Sequence, residues 1–222
     1  YPHMPEIEDL TMHLARVCEI PTADHGLIRL KSGELAYIAR RFDRVHGRKL
    51  AMEDFCQLSE QLTENKYRGS MERAGNIILK WSSNAILDAG RFLDIALHSF
   101  ITGNADMHLK NFSLLIDEDG TIHLAPAYDL LSTKLLLPTD KEELALPING
   151  RKNNLRREDF VVLGRRLMLP ERAIENTFAR FGRKIQPMCE RVRASFMPST
   201  MQDQYIRLIE ERCGRIGIHR LA

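Results

Sequence analysis

The sequence predicts an α+β protein with a small β-containing N-terminal part and a mainly helical remainder. Three observations carry this. Apolar residues recur at helical spacing in seven separate segments. Short strand-like segments flank strong turn signals at only two places. Apolar residues make up 44% of 222, enough for one large or two small domains with a real core.

Taken in order, residues 6–19 form the first predicted helix. Ile7, Leu10, Leu14, Val17 and Cys18 share its apolar face, its acidic residues sit in the first turn, and Ile20-Pro21 ends it. A hairpin follows, with Leu27, Ile28 and Leu30 before the turn Lys31-Ser32-Gly33 and Leu35, Tyr37 and Ile38 after it. Residues 51–62 read as a helix with Phe55, Leu58 and Leu62 inward, and Met71–Trp81 as another. Residues 84–102 are the most apolar helix, with Asn84 as N-cap. Residues 112–116 and 121–124 are short strands joined by the turn Asp117-Glu118-Asp119-Gly120. Residues 130–154 are irregular, with a short strand over 144–148. Residues 156–167, 170–196 and 199–215 close the chain as helices, with Pro187 expected to kink or split the second.

Whole-chain properties exclude several classes. A net charge of +2 makes no broad electrostatic case for nucleic-acid binding. No apolar run is long enough to span a bilayer. Residues 1–9 are polar and acidic, without a signal-peptide pattern. The four cysteines are scattered, with no CxxC, and read as reduced thiols of a cytoplasmic protein. The start at Tyr1 without methionine reads as a fragment or a processed chain.

The candidate chemistry lies in residues 101–131. Asp106 and Asn111 are five residues apart at the end of the most apolar helix, and Asp129 follows the hairpin that returns the chain beside Asn111. Transfer of a γ-phosphoryl group needs Mg²⁺ to offset charge on the phosphate oxygens and a carboxylate to orient and deprotonate the attacking hydroxyl. Mg²⁺ takes oxygen ligands, which Asn111 and Asp129 supply. Asp106 is left facing the acceptor as base. Either Lys110 or His108 could neutralise the transferred phosphate. Singly, each residue has an ordinary structural reading: Asp-x4-Asn can cap a loop, and a lone histidine is commonly a packing residue. The full run of apolar helix, Gly-Asn-x-Asp, Asn, hairpin and Pro-x-Tyr-Asp is much rarer than its parts.

The block GNADMHLKNFSLL…LAPAYDLLST resembles the catalytic core of the HipA-like serine/threonine kinases, the toxin halves of bacterial toxin–antitoxin modules. IARRFDR resembles that family's hinge, MEDFCQ and KYRGS the helix and loop after it, and MPEIEDLTMHLARVCEIP the helix after its nucleotide-binding lysine strand. The resemblance implies a protein-kinase-like fold, with residues 1–42 as a remnant of the N-lobe (hinge at 39–42) and residues 43–222 as a helical C-lobe. It implies ATP and Mg²⁺ as cofactors, with Asp106 as catalytic base and Asn111 and Asp129 holding the metal. The hinge backbone near Arg40 to Phe42 would meet the adenine, and Glu8 would pair with the nucleotide-binding lysine. The implied partners are a protein substrate, with an aminoacyl-tRNA synthetase as the type of target, and a DNA-binding antitoxin.

Some features depart from the family pattern. The glycine-rich phosphate loop and strand lysine would fall upstream of position 1, and no Gly-x-Gly or Gly-Lys-Ser element substitutes for them. Arg40 stands at a hinge position often acidic in relatives. The expectation is a chain that folds but binds ATP poorly alone. Two rival readings are an aminoglycoside-phosphotransferase-like small-molecule kinase and a catalytically incompetent binding module. The basic cluster Arg151-Lys152 with Arg156-Arg157 reads as a solvated loop and helix start, Trp81 as core, and residues 207–220 as a solvated helix face paired with Glu210 and Glu211.

Overall fold

A computed structural model describes residues 1–219. Helix α1 (Met4–Val17) buries Ile7, Leu10 and Leu14 and leads to a hairpin of β1 (His25–Arg29) and β2 (Leu35–Ala39). Their register pairs Leu27 with Tyr37 and Ile28 with Ala36. Two two-residue strands, β3 (Arg44–Val45) and β4 (Arg48–Lys49), form a second small hairpin.

A three-stranded antiparallel sheet has the order β5 (Ala51–Asp54), β6 (Ser113–Ile116), β7 (Ile122–Leu124). This corrects the expected helix over 51–62. Residues 51–54 pair with β6, with Met52 opposite Leu115, and the helix α2 (Phe55–Leu58) is a single turn. Asp54 starts that turn with a capping box to Gln57. The helical spacing of Phe55 and Leu58 is real, but the unpaired edge of β6 recruits the segment before it.

Helices α3 (Met71–Trp81), α4 (Ala85–Thr102), α6 (Arg157–Arg166), α7 (Glu171–Arg193) and α8 (Ser199–Arg215) form the rest, with one turn, α5 (Thr133–Leu136), between. α4 is the hub and packs against α3, α6, α7, α8 and β7. From Phe92 to Thr102 it is buried on all sides.

Further expectations change. α7 runs through Pro187 as one helix, its flanks held by buried Ile185, Met188 and Cys189. Phe196 lies beyond it and is exposed. Leu144, Ala145, Leu146 and Ile148 are buried but the segment is irregular, and Ile148 makes only an isolated bridge to Arg151. Asn84 makes no side-chain cap to α4; Ser82 Oγ instead accepts from the Asn84 amide and donates to Asp88. Trp81 is 46% exposed rather than core, because it ends α3 on the open side of the sheet.

Arg212 is also not on a solvated face. It is buried, its guanidinium lies 4.9 Å from the Phe100 ring, and Nη1 donates to the Phe100 carbonyl at 2.7 Å. Arg215 does pair with Glu211, and also with Glu143; Arg220 lies outside the described residues. Arg212 thus adds a second donor to the Phe100 carbonyl, which already accepts from the Gly103 amide at the C-terminal end of α4, where the dipole favours a cation. Lys152 and Arg157 of the basic cluster pair with Glu142 and Glu175. All four cysteines are buried, and none of them forms a disulfide.

Candidate active site

The end of α4 sets the site. Gly103 terminates the helix in the left-handed region at φ 73°. A Cβ there would come within 2.8 Å of both Leu208 Cδ2 and Lys134 Cβ, so only glycine lets α5 and α8 close over this corner. The next residues are pinned from α5: Thr133 Oγ1 accepts from the Ala105 amide at 2.9 Å and donates to the Gly103 carbonyl. Asn104 is buried, and its Oδ1 accepts from the Asp106 amide at 3.1 Å. Asp106 therefore leaves a rigid corner with its carboxyl turned outward.

Asn111 Nδ2 donates to the Asp106 carbonyl at 3.2 Å, closing the loop between the two residues. A 3-10 turn (Leu109–Asn111) carries it into β6, and β7 returns the chain to Asp129. The Asn111 amide favours the charged form of the Asp129 carboxyl. Asp129 has φ 56°, a sparsely used region for a residue with a side chain. Tyr128 fixes the backbone beside it, its hydroxyl donating to the Lys110 carbonyl and bonding Ser113.

Glu8 reaches the same place from α1. The exit of α1 is tied to this segment, since Ala23 donates to the Ala127 carbonyl and Ala127 to that of Pro21. Burial, then the Asp129 and Asp9 charges, push the Glu8 carboxyl up to about 7. Asp129 is raised too, by burial and then by Asp106. Three carboxylates crowd one cleft without enough neutralising charge. A hard divalent cation fits that excess and the oxygen donors of Asn111 and Asp129.

The two phosphate-side candidates separate. Lys110 Nζ is 2.7 Å from Asp54 Oδ2, at the cap of α2. His108 lies within the site, buried, with its basicity lowered chiefly by burial and its Nδ1 without a partner. The hinge residues differ as well. Arg40 is exposed, its amide bound to the Asp24 carbonyl, while Phe42 packs on Tyr128 with centroids 5.5 Å apart.

Lys66 and Tyr67 were missed as site residues. Tyr67 Oη donates to Asp106 Oδ1 at 2.6 Å, and its ring meets His108 edge-on at 5.1 Å. Burial and Asp106 push the phenol up to about 12, so it stays a donor at neutral pH. Lys66 accepts from the Leu109 amide through its carbonyl, and its charge acts on His108 and Asp129. The KYRGS segment was the available signal; nothing in its spacing says that it folds over Asp106.

A corner supported by α4, a hairpin that returns the chain to Asp129 and a small β-containing N-terminal part make up a kinase-like fold. Solved structures agree. The HipA chain of a Shewanella oneidensis HipA–HipB–operator DNA complex superposes with TM-score 0.84 at 22% identity, covering 99% of this chain and 57% of that one. The Helicobacter pylori proinflammatory kinase CtkA superposes with TM-score 0.71 at 14% identity, covering 97% and 86%. The HipA-like C-terminal domain model matches residues 1–189, and the chain belongs to that family. Two Sinorhizobium fredii proteins, "Putative kinase Y4dM" and "Putative kinase Y4mE", are 34% and 32% identical over 60% and 68% of this chain. The chain spans 35% and 37% of their respective lengths.

Proposed function

We propose that this chain carries the catalytic half of an ATP- and Mg²⁺-dependent protein serine/threonine kinase, the toxin of a toxin–antitoxin pair. The observation that carries the reading is the convergence of Asp106, Asn111, Asp129 and Glu8 on one cleft, from three separate elements. Asn111 and Asp129 would hold Mg²⁺, which when bound offsets charge on the phosphate oxygens. Asp106 takes the proton of the acceptor hydroxyl. Tyr67 occupies Oδ1 of that carboxylate and leaves Oδ2 for the acceptor, so we assign it a positioning role. His108 and Lys66 stand on the phosphate side.

Glu8 is placed to pair with a nucleotide-binding lysine, which would relieve the crowding that raises it. Residues 1–42 then act as the tail of an N-lobe with the hinge at 39–42, and residues 43–222 as the C-lobe. The hinge backbone near Arg40 and Phe42 is the adenine edge. The Shewanella HipA is solved with HipB and operator DNA, which supports a DNA-binding antitoxin as partner here. No helix among the described residues is long and apolar enough to cross a membrane. The target is a protein hydroxyl, with an aminoacyl-tRNA synthetase as the type.

The test is phosphate transfer from radiolabelled ATP by the complete protein, followed by phosphoamino-acid analysis of the labelled acceptor. Phosphoserine or phosphothreonine dependent on Mg²⁺ is expected. Label on small molecules alone would overturn the protein-kinase reading.

A further inference from the structure

Beside the cleft, α1 and β1 bring together three side chains that phosphoryl transfer does not use. Asp9 and His13 are four residues apart and share one face of α1. His25 opens β1 and reaches the same carboxylate from the other side. His25 Nδ1 lies 2.9 Å from Asp9 Oδ1, and His13 Nε2 lies 3.6 Å from Asp9 Oδ2. The imidazoles meet edge to face with centroids 4.5 Å apart. One ligand-capable atom from each residue lies within 4.8 Å of the other two. Asp9 is buried, the His25 side chain is closed off from solvent, and its Nε2 has no partner.

These spacings suit an ion. Two ligands at about 2.0–2.1 Å from a tetrahedral zinc are roughly 3.3 Å apart. The two observed separations, to the two oxygens of one carboxylate, bracket that value, and the three ligand atoms lie within 4.8 Å of one another. Two imidazoles and one carboxylate make a mixed nitrogen and oxygen set. That favours a borderline transition ion over Mg²⁺ or Ca²⁺, which take oxygen. A hydrogen-bonded Asp–His pair alone would be ordinary packing; the second imidazole on the other carboxylate oxygen sets this cluster apart.

We propose that Asp9, His13 and His25 form a zinc-type site that staples α1 to the β1–β2 hairpin, with its fourth position open to water. The staple would fix α1 one residue from Glu8 and so steady the N-terminal side of the cleft. It is independent of the kinase reading.

The test is a titration of the chelator-stripped purified protein with Co²⁺, read by its visible ligand-field bands, then with Zn²⁺ by competition. Expected is a 1:1 tetrahedral or five-coordinate spectrum, unchanged by millimolar Mg²⁺, and a rise in melting temperature with Zn²⁺. His13→Ala, at the partly open rim, should weaken binding at least a hundred-fold and abolish the rise in melting temperature, while His3→Ala leaves both unchanged. If His13→Ala does not fold, His13→Gln serves the same purpose. Absence of saturable 1:1 binding, or equal affinity in the His13 variants, would overturn the site.

Discussion

The corner at residues 103–111, which carries Asp106, and the β1–β2 hairpin are built differently. The corner hangs from the most buried helix; Thr133 ties it to α5, the Asn104 side chain braces it from within, and Arg212 holds the helix end before it at Phe100. The hairpin is held by its own ladder and by α1, and leaves Ile28, Leu30 and Ile38 more than 40% exposed. The difference teaches which side can hold fixed geometry: under the proposed reading, the groups that need it are carried by the rigid side, and the side that leads into the hinge offers backbone and apolar surface.

If that contrast is right, substitutions on the corner act on turnover and those on the hairpin side act weakly. The largest effect should come from Asp106→Ala. In the complete protein it should cut phosphate transfer by about three orders of magnitude, within the range for loss of a general base. Near-normal turnover would remove Asp106 from its role. Tyr67→Phe should come next, lowering kcat roughly ten- to a hundred-fold, the size of one hydrogen bond to a charged group. Its KM for MgATP and for the acceptor should stay within about two-fold; a change in KM alone would make Tyr67 a binding residue instead.

Gly103→Ala probes the corner through stability. The left-handed backbone and the 2.8 Å approaches predict a loss of about 2–4 kcal/mol, measured by denaturant unfolding. Arg40→Ala, on the exposed hinge, should change stability by less than about 0.5 kcal/mol.

Glu8 gives a smaller, pH-dependent test. Its folded value of about 7 lies above its ordinary value, so the folded state holds a proton that the unfolded chain releases. Stability from this group therefore falls as pH rises from about 4.5 to 7, and the full cost is present above 7. Glu8→Gln should raise stability at pH 8 by about 1–2 kcal/mol, after allowance for solvent screening, and change little at pH 4. An equal change at both pH values would mean that the charge is not the cause.

Much of this was legible in the sequence because it is local. The periodicity of Met71–Trp81 and Ser199–Arg215, the Asp117–Gly120 turn and the spacing of Asp106, Asn111 and Asp129 each arise within one segment. What failed depends on partners far along the chain. Residues 51–54 look helical until β6 offers them a ladder. Arg212 looks solvated until the Phe100 carbonyl is found beneath it. Tyr67 lies 39 positions from Asp106, and no periodicity reports that contact.

The most direct test of the central claim compares MgATP binding to Asp129→Ala and Asp106→Ala by calorimetry in the complete protein. The account predicts that Asp129→Ala loses Mg²⁺-dependent affinity at least ten-fold, while Asp106→Ala binds within about two-fold of wild type. Unaltered MgATP affinity in Asp129→Ala would contradict the assignment of metal ligand and base on which the site rests.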